Sequence, residues 1–223
     1  RIVIACSKSW FELSDEIKKN NEIFFINDKN RFTKSNIDKI SPDFIFIPHW
    51  SWNISSEIYK NNKCIMFHTA PLPYGRGGSL IQNLILNGFK SSPVCALKVT
   101  KEMDSGEIYN KIDIDLSGSL TDIFERINFA VNSLILQLLD NDITPKPQNG
   151  KIVKFKRLTH SDNEIDKNLD ITEIYDRIRM LDHHEYPNSY ITFGKLKVEL
   201  KDAKFVSGKL FCKAFFTNNN IKN

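Results

Sequence analysis

Apolar residues arrive first in short runs and later at helical spacing, and their alternation predicts a sheet interleaved with helices. Residues 1–6 form one such run, and the segment around Phe11, Leu13 and Ile17 follows as a polar-faced helix. Runs at 22–26 and 43–49 flank a short helical stretch at 34–40, and a helix at 57–61 leads into a fully apolar run at 64–67. Leu80, Ile81, Leu84 and Ile85 then recur at helical spacing. Strand alternating with helix predicts a parallel, doubly wound α/β sheet. SPVCALKV and EIYNKIDI read as an antiparallel pair joined through KEMDSG. Ser119, with Asp122 as a weak capping-box partner, opens the longest helix. Its Leu120, Ile123, Phe124, Ile127, Val131, Leu134, Ile135 and Leu138 mark one apolar face for packing on the sheet.

The pattern changes after PKPQNGK, residues 145–151, which reads as a linker or domain edge. A polar loop at 159–170, a helix at 172–181 and two alternating strands in FGKLKVELKDAKFV and GKLFCKAFF predict a small C-terminal α+β appendage. The division expected is 1–150 and 151–223, with an Asn-rich C-terminus that frays.

Composition narrows the class. With 223 residues and 41% hydrophobic content, the chain can bury one large core, or one core with a small appendage. No stretch approaches the roughly 20 apolar residues of a membrane helix, and the chain opens in a strand rather than a signal peptide, so a soluble cytoplasmic protein is expected. The chain has no initiating Met. Its four cysteines show no metal spacing and read as buried, reduced thiols. The net charge is +4 with 27 acidic residues interspersed, and KIVKFKR alternates like a half-exposed strand, which disfavours an RNA-binding strip. His183 and His184 are adjacent and read as a solvated helix end rather than a metal site.

Chemistry concentrates at residues 63–88, KCIMFHTAPLPYGRGGSLIQNLILNG. His68 stands at the C-terminal end of a buried strand, prolines stiffen the loop, and Arg76 precedes two glycines that let a ligand approach the backbone. In an open α/β sheet ligands bind at this end of the strands. The first strand–helix turn is ACSKSW rather than G-x-G-x-x-G, which argues against a dinucleotide-dependent dehydrogenase. Alone, a His after an apolar strand is more often a hydrogen-bonded structural residue. Tryptophans at a strand end, as in HWSWN, more often cap a core than stack on a ligand.

FHTAPLPYGRGG, with its apolar helix and terminal NG, resembles the active-site loop of formyltransferases that use 10-formyltetrahydrofolate, usually N-x-H-x-S-L-L-P-x-x-R-G. The family's Asp-x-Gly turn has its counterpart in Asp104, Ser105 and Gly106, and IRMLDHHEYPNSYI resembles its R-x-x-x-P-x-P-G-A segment. Within the family, HWSWN and GRGGSLIQNLI look most like the nucleotide-linked amino-sugar N-formyltransferases of the pseudaminic acid type. The resemblance implies a Rossmann-like, mostly parallel catalytic domain. It implies 10-formyltetrahydrofolate as formyl donor, no metal, and a nucleotide sugar such as a UDP-4-amino-4,6-dideoxy sugar as acceptor, in surface polysaccharide biosynthesis. No nucleic acid or membrane is expected as partner, and a homodimer is one option. Glycinamide ribonucleotide formyltransferase ranks second because its loop lacks GRGG. Methionyl-tRNA formyltransferase ranks third because it carries a C-terminal barrel and basic tRNA-binding segments.

Residue by residue, the resemblance makes His68 the carrier of the amine's proton, suited by an ordinary imidazole pKa of about 6.5. Asp104 orients it. Trp50, Ser51, Trp52, Gly78, Thr100, Lys101, Glu102, Met103 and Asp104 correspond to folate-contacting positions. Tyr74, Arg76 and Gln82 are candidates for the acceptor substrate, with Arg76 equally suited to pair with a phosphate or to brace the loop. One departure stands out: the family's Asn, two residues before the His, is Met66 here. Residues 66 and 68 of a strand share a face, so a thioether stands where an oxyanion donor belongs. His49, Asn83 or the backbone N–H groups of Gly77 and Gly78 are the available replacements, and a non-catalytic folate or sugar-nucleotide binding protein is the alternative.

Overall fold

The apolar runs become strands at nearly the positions their pattern predicts. In the computed structural model, which describes residues 1–219, the order is β1 (Ile2–Cys6), α1 (Asp15–Asn20), β2 (Ile23–Ile26), α2 (Lys34–Ile40), β3 (Phe44–His49), α3 (Ser56–Tyr59) and β4 (Cys64–Thr69). Then come β5 (Tyr74–Gly77), α4 (Leu80–Leu86), β6 (Ser91–Lys98), β7 (Ile108–Asp115), α5 (Leu120–Asp140) and β8 (Val153–Phe155). The C-terminal part adds α6 (Ile171–Arg179), β9 (Ser189–Phe193), β10 (Leu196–Val206) and β11 (Lys209–Asn218). Part of the Asn-rich end expected to fray lies outside the described residues.

The chain forms two units and crosses between them more than once: one comprises Arg1–Gly77, Ser92–Ile114 and Phe124–Lys154, the other Gly78–Ser91, Asp115–Ile123 and the described residues from Phe155 onward. The first is built on a six-stranded sheet in the order β2-β1-β3-β4-β6-β7. Strands β1, β2, β3 and β4 pair in parallel, and β6 runs antiparallel to β4. This is the mostly parallel α/β sheet that the sequence predicts. Consecutive residues Ile2, Val3, Ile4 and Ala5, and likewise Ile45, Phe46 and Ile47, are at most 1% exposed, so these strands are covered on both faces. That is why they read as unbroken apolar runs. The register puts Ile47 beside Met66, and His68 beside Cys95.

Two local departures have clear causes. Phe11 and Leu13 are buried but precede α1 instead of lying in it. Asn132 of α5 holds that segment open, its side-chain oxygen accepting from Ser14 N at 2.8 Å and its amide donating to Glu12 O at 2.9 Å. The loop expected after His68 contains β5, which pairs with β8 in a two-stranded sheet. A four-residue strand with two glycines, YGRG, carries no periodic signal. At α5 the expected cap is present, with Ser119 N donating to Asp122 Oδ2 at 2.7 Å and Asp122 N to Ser119 Oγ at 3.2 Å.

The second unit centres on α6 and an antiparallel sheet in the order β11-β10-β9. Asp170 caps α6 by accepting from Thr172 N and Glu173 N, while Glu173 accepts from Asp170 N. Arg179, 5% exposed, donates to the carbonyls of Leu116 and Gly118 and to Asp176. The arginine of the family-like IRMLDHH segment is therefore an internal brace. No described helix is long and apolar enough to cross a membrane.

Candidate functional site

The site of the first unit is assembled from the end of β4, strand β5 and the turn between β6 and β7. His68 is the penultimate residue of β4 and is 4% exposed. Its Nε2 donates to the Gly75 carbonyl at 2.9 Å, and its Nδ1 lies 3.5 Å from Asp104 Oδ1. Asp104 accepts a second contact at Oδ2 from the Gly77 N–H, 2.9 Å away. The expected His68–Asp104 pairing is thus present, and β5 grips it from both sides through its two glycines.

The turn that delivers Asp104 depends on unusual backbone. Asp104 itself has φ +54°, in the left-handed region. Gly106 has no room for a side chain: a Cβ there would stand 1.7 Å from the Lys98 carbonyl oxygen. The glycine of Asp-Ser-Gly is therefore a packing requirement at the β6 backbone. Thr100 reinforces the turn by donating to Glu102 O at 3.0 Å and sharing a hydrogen with Ser105 at 2.9 Å.

Beside this turn lies a cavity of about 400 Å³. Trp52, Met66, Leu97, Val99, Thr100 and Asp104 are on its wall, as are Lys101, Glu102 and Met103. Sequence reading missed other members, Asn53, Ile54, Ser56, Tyr59, Leu97, Lys98 and Val99. Their common signal was proximity to HWSWN or to the 100–104 turn. Met66 and Asp104 face the cavity directly, whereas His68 is not part of the wall and meets it behind Asp104.

The other expected contacts divide by position. Trp50 and Ser51 are not on the cavity wall: Trp50 packs edge-on against Phe32 and Trp52, and Ser51 Oγ lies 3.0 Å from Ser7 Oγ. Trp52 alone of the pair is on the wall, at 41% exposure. His49 turns toward β1, with Nδ1 3.1 Å from Ser7 Oγ. Tyr74 is half-buried. Arg76 is 7% exposed, its Nε and Nη2 both donating to Gln148 Oε1 at 3.2 and 2.8 Å, with Nη1 3.6 Å from Glu102. Of the two readings open for Arg76, this geometry is the brace.

Gly78 and Gln82 belong to the second unit. A Cβ on Gly78 would meet Arg157 at 3.0–3.3 Å, which explains the glycine by packing. Gln82, expected to touch substrate, is 4% exposed and donates to the Met180 carbonyl at 3.0 Å, a commitment within the fold. Asn83 donates to the carbonyls of Gly78, Ser79 and Lys156 at 2.9–3.1 Å. Among the described residues no cluster of three or more His, Cys, Asp or Glu side chains has the geometry to hold a metal.

Comparison with known proteins adds an independent line. Residues 160–218 match the family model described as Methionyl-tRNA formyltransferase, C-terminal domain. The methionyl-tRNA formyltransferase of Sulfurimonas denitrificans is 28% identical over 191 residues, covering 82% of this chain and 62% of that protein. The chain therefore spans less than two thirds of the length of such curated relatives. A solved methionyl-tRNA formyltransferase from Clostridium thermocellum is 36% identical, with a TM-score of 0.91 and coverage of 97% of this chain and 98% of that one. A 4-N formyltransferase from Francisella tularensis shares the fold, at a TM-score of 0.65 and 17% identity over 86% of this chain and 92% of that one. The order of likeness thus differs from the one read off the loop. The C-terminal segment, read as unlike a methionyl-tRNA formyltransferase, matches a domain described for that enzyme.

Proposed function

Because this chain belongs to the methionyl-tRNA formyltransferase-like family of formyltransferases, we propose that it transfers a formyl group from 10-formyltetrahydrofolate to a primary amine. The observation that carries this reading is the cavity whose wall ends on the Asp104 carboxylate, itself in contact with the buried His68 imidazole. Its volume of about 400 Å³ lies in the range of small-molecule sites, roughly 300–1,000 Å³. The residues fit a flat, heteroatom-edged ligand: Trp52, Leu97 and Val99 offer apolar surface, and the 100–104 turn offers backbone groups. When bound, the folate supplies the formyl group.

The roles of the protein's own residues follow from their positions. His68 has Nε2 engaged with Gly75 O, so Nδ1, on the Asp104 side, is the nitrogen through which a proton moves. Asp104 stands between that nitrogen and the cavity, orienting the ring and facing the amine. Trp52 and residues 100–104 hold the donor.

For the acceptor, a nucleotide-linked amino sugar is our first reading, from the GRGG loop and the shared fold of sugar N-formyltransferases. Methionyl-tRNA is the second, favoured by the relatives named above and by the match over residues 160–218. One experiment separates them. The protein is incubated with 10-formyltetrahydrofolate and either UDP- and dTDP-linked amino sugars or charged initiator tRNA, and products are scored for the added mass of one formyl group. Formylation of the tRNA alone rejects the sugar reading. No product from any acceptor, with His68→Asn indistinguishable from wild type, rejects formyl transfer and favours a folate-binding role.

A further inference from the structure

We propose that Gln148, in the stretch between α5 and β8, is a positioning residue that sets the Asp104 carboxylate against His68. The inference rests on the reading of that pair as the working site. A carboxamide offers one oxygen with two lone pairs and two N–H donors, and Gln148 uses all four. Its Oε1 accepts from Arg76 Nε and Nη2 at 3.2 and 2.8 Å, and its Nε2 donates to the Asp104 and Gly106 carbonyls at 2.7 and 2.9 Å.

Those partners are the two backbone segments that hold the site together. Asp104 and Gly106 are the ends of the Asp-Ser-Gly turn. Arg76 lies between Gly75, whose carbonyl receives the His68 ring, and Gly77, whose N–H reaches Asp104 Oδ2. One side chain therefore fixes the distance between the turn and β5 across which the carboxylate and the imidazole meet. Asp104 needs such a hold, because a non-glycine residue at φ +54° persists only where its surroundings impose it. Gln148 is not on the cavity wall, so any effect it has passes through Asp104 and Arg76.

The test uses Gln148→Glu and Gln148→Met in the full chain. Glutamate keeps the acceptor for Arg76 but cannot donate to the two carbonyls; methionine keeps the length and loses both functions. Amide hydrogen exchange reads the result without any need for turnover. The Gly77 amide, protected by Asp104 Oδ2, should exchange at least tenfold faster in both variants, while amides of β3 and β6 keep wild-type rates. With an active acceptor in hand, kcat should fall at least tenfold and the KM for that acceptor change less than threefold, with 5-formyltetrahydrofolate affinity by calorimetry also within threefold. Unchanged Gly77 exchange overturns the proposal, and so does loss of protection spread evenly through the sheet, which would make Gln148 general scaffold. If the wild type formylates no acceptor, the functional reading fails and the exchange result alone decides the role of Gln148.

Discussion

Gly106→Ala is the substitution whose cost the structure defines most sharply. The new methyl carbon would lie 1.7 Å from the Lys98 carbonyl oxygen and 2.8 Å from its carbon. Close carbon–oxygen contacts settle near about 3.3 Å, so the turn and β6 would have to separate by roughly 1.6 Å. Neither side yields freely. Lys98 N donates to Glu107 O at 2.9 Å, next to the mutated residue, and Gly106 O receives the Gln148 amide at 2.9 Å. Overpacking typically costs about 1–3 kcal/mol, and weakening these two hydrogen bonds adds about 1 kcal/mol each. The expected loss is about 3–5 kcal/mol, or roughly 10 °C in Tm for a chain of this size. Urea and thermal unfolding of wild type and variant measure it. Gly88→Ala is the control for a glycine held by backbone alone, since Gly88 has φ +78° but nothing within 4 Å of the position the added methyl would take. A Gly106→Ala loss below about 1 kcal/mol, or no greater than that of Gly88→Ala, would refute the steric account of the Asp-Ser-Gly turn.

Two further outcomes follow from buried ionisable groups. Of the four cysteines expected to be buried, Cys64 and Cys95 are, whereas Cys6 is partly exposed and Cys212, on the edge strand β11, is exposed. Burial pushes the thiol of Cys64 up to about 12 and that of Cys95 up to about 11; in the native protein both should resist Ellman's reagent and react only on unfolding, and fast native labelling of either would contradict their placement. Burial also raises the Asp182 carboxyl above the usual aspartate range, against the pull of its hydrogen bond from Asp202 N. A raised carboxylate favours the folded state fully below its ordinary pKa of about 3.9 and loses that contribution as pH rises through the folded value. Asp182→Asn should therefore stabilise at neutral pH, with the gain fading on acidification; melting curves showing a pH-independent difference, or a loss at neutral pH, would reverse the sign.

Much of this was legible because it is local. Strands buried on both faces must be apolar at every position, so β1, β3 and β4 announce themselves as runs, and the α5 face shows at spacings of three and four. His68 and Asp104 were legible through the resemblance, and their contact is present in the fold. The rest depends on long-range partners. Trp50 and Trp52 are near neighbours in sequence, yet only Trp52 lines the cavity, because Trp50 finds Phe32. Arg76 looked equally fit for a phosphate until Gln148 was seen to hold it. Gln148 gave no signal at all, since a glutamine among prolines reads as linker; its use follows from where the chain returns after α5.

Met66 determines what the remainder of the site must accomplish. A missing oxyanion donor typically costs about a hundred- to a thousandfold in turnover, and the expected replacements are engaged elsewhere. His49 Nδ1 is beside Ser7, Asn83 serves three carbonyls, the Gly77 N–H is on Asp104, and the Gly78 N–H points to Phe155 O at 3.4 Å. At the cavity the Asp104 carboxylate shares the wall with the apolar, polarisable side chain of Met66, and Asn53, Ser56 and Thr100 are among the other polar side chains there. Replacing an amide by a thioether lowers the polarity around Asp104, and a charge interacts more strongly with its partners where the medium screens it less. The same change removes a group that would otherwise help fix a substrate. Orientation then falls to the closed set of contacts from Gly75 through His68 and Asp104 to Gly77, drawn together by Arg76 and Gln148. On the proposed reading of His68 as proton carrier, such a site works by holding that ring in place, so its performance should be more sensitive to the bonds behind Asp104 than to the identity of the residues that surround the cavity mouth.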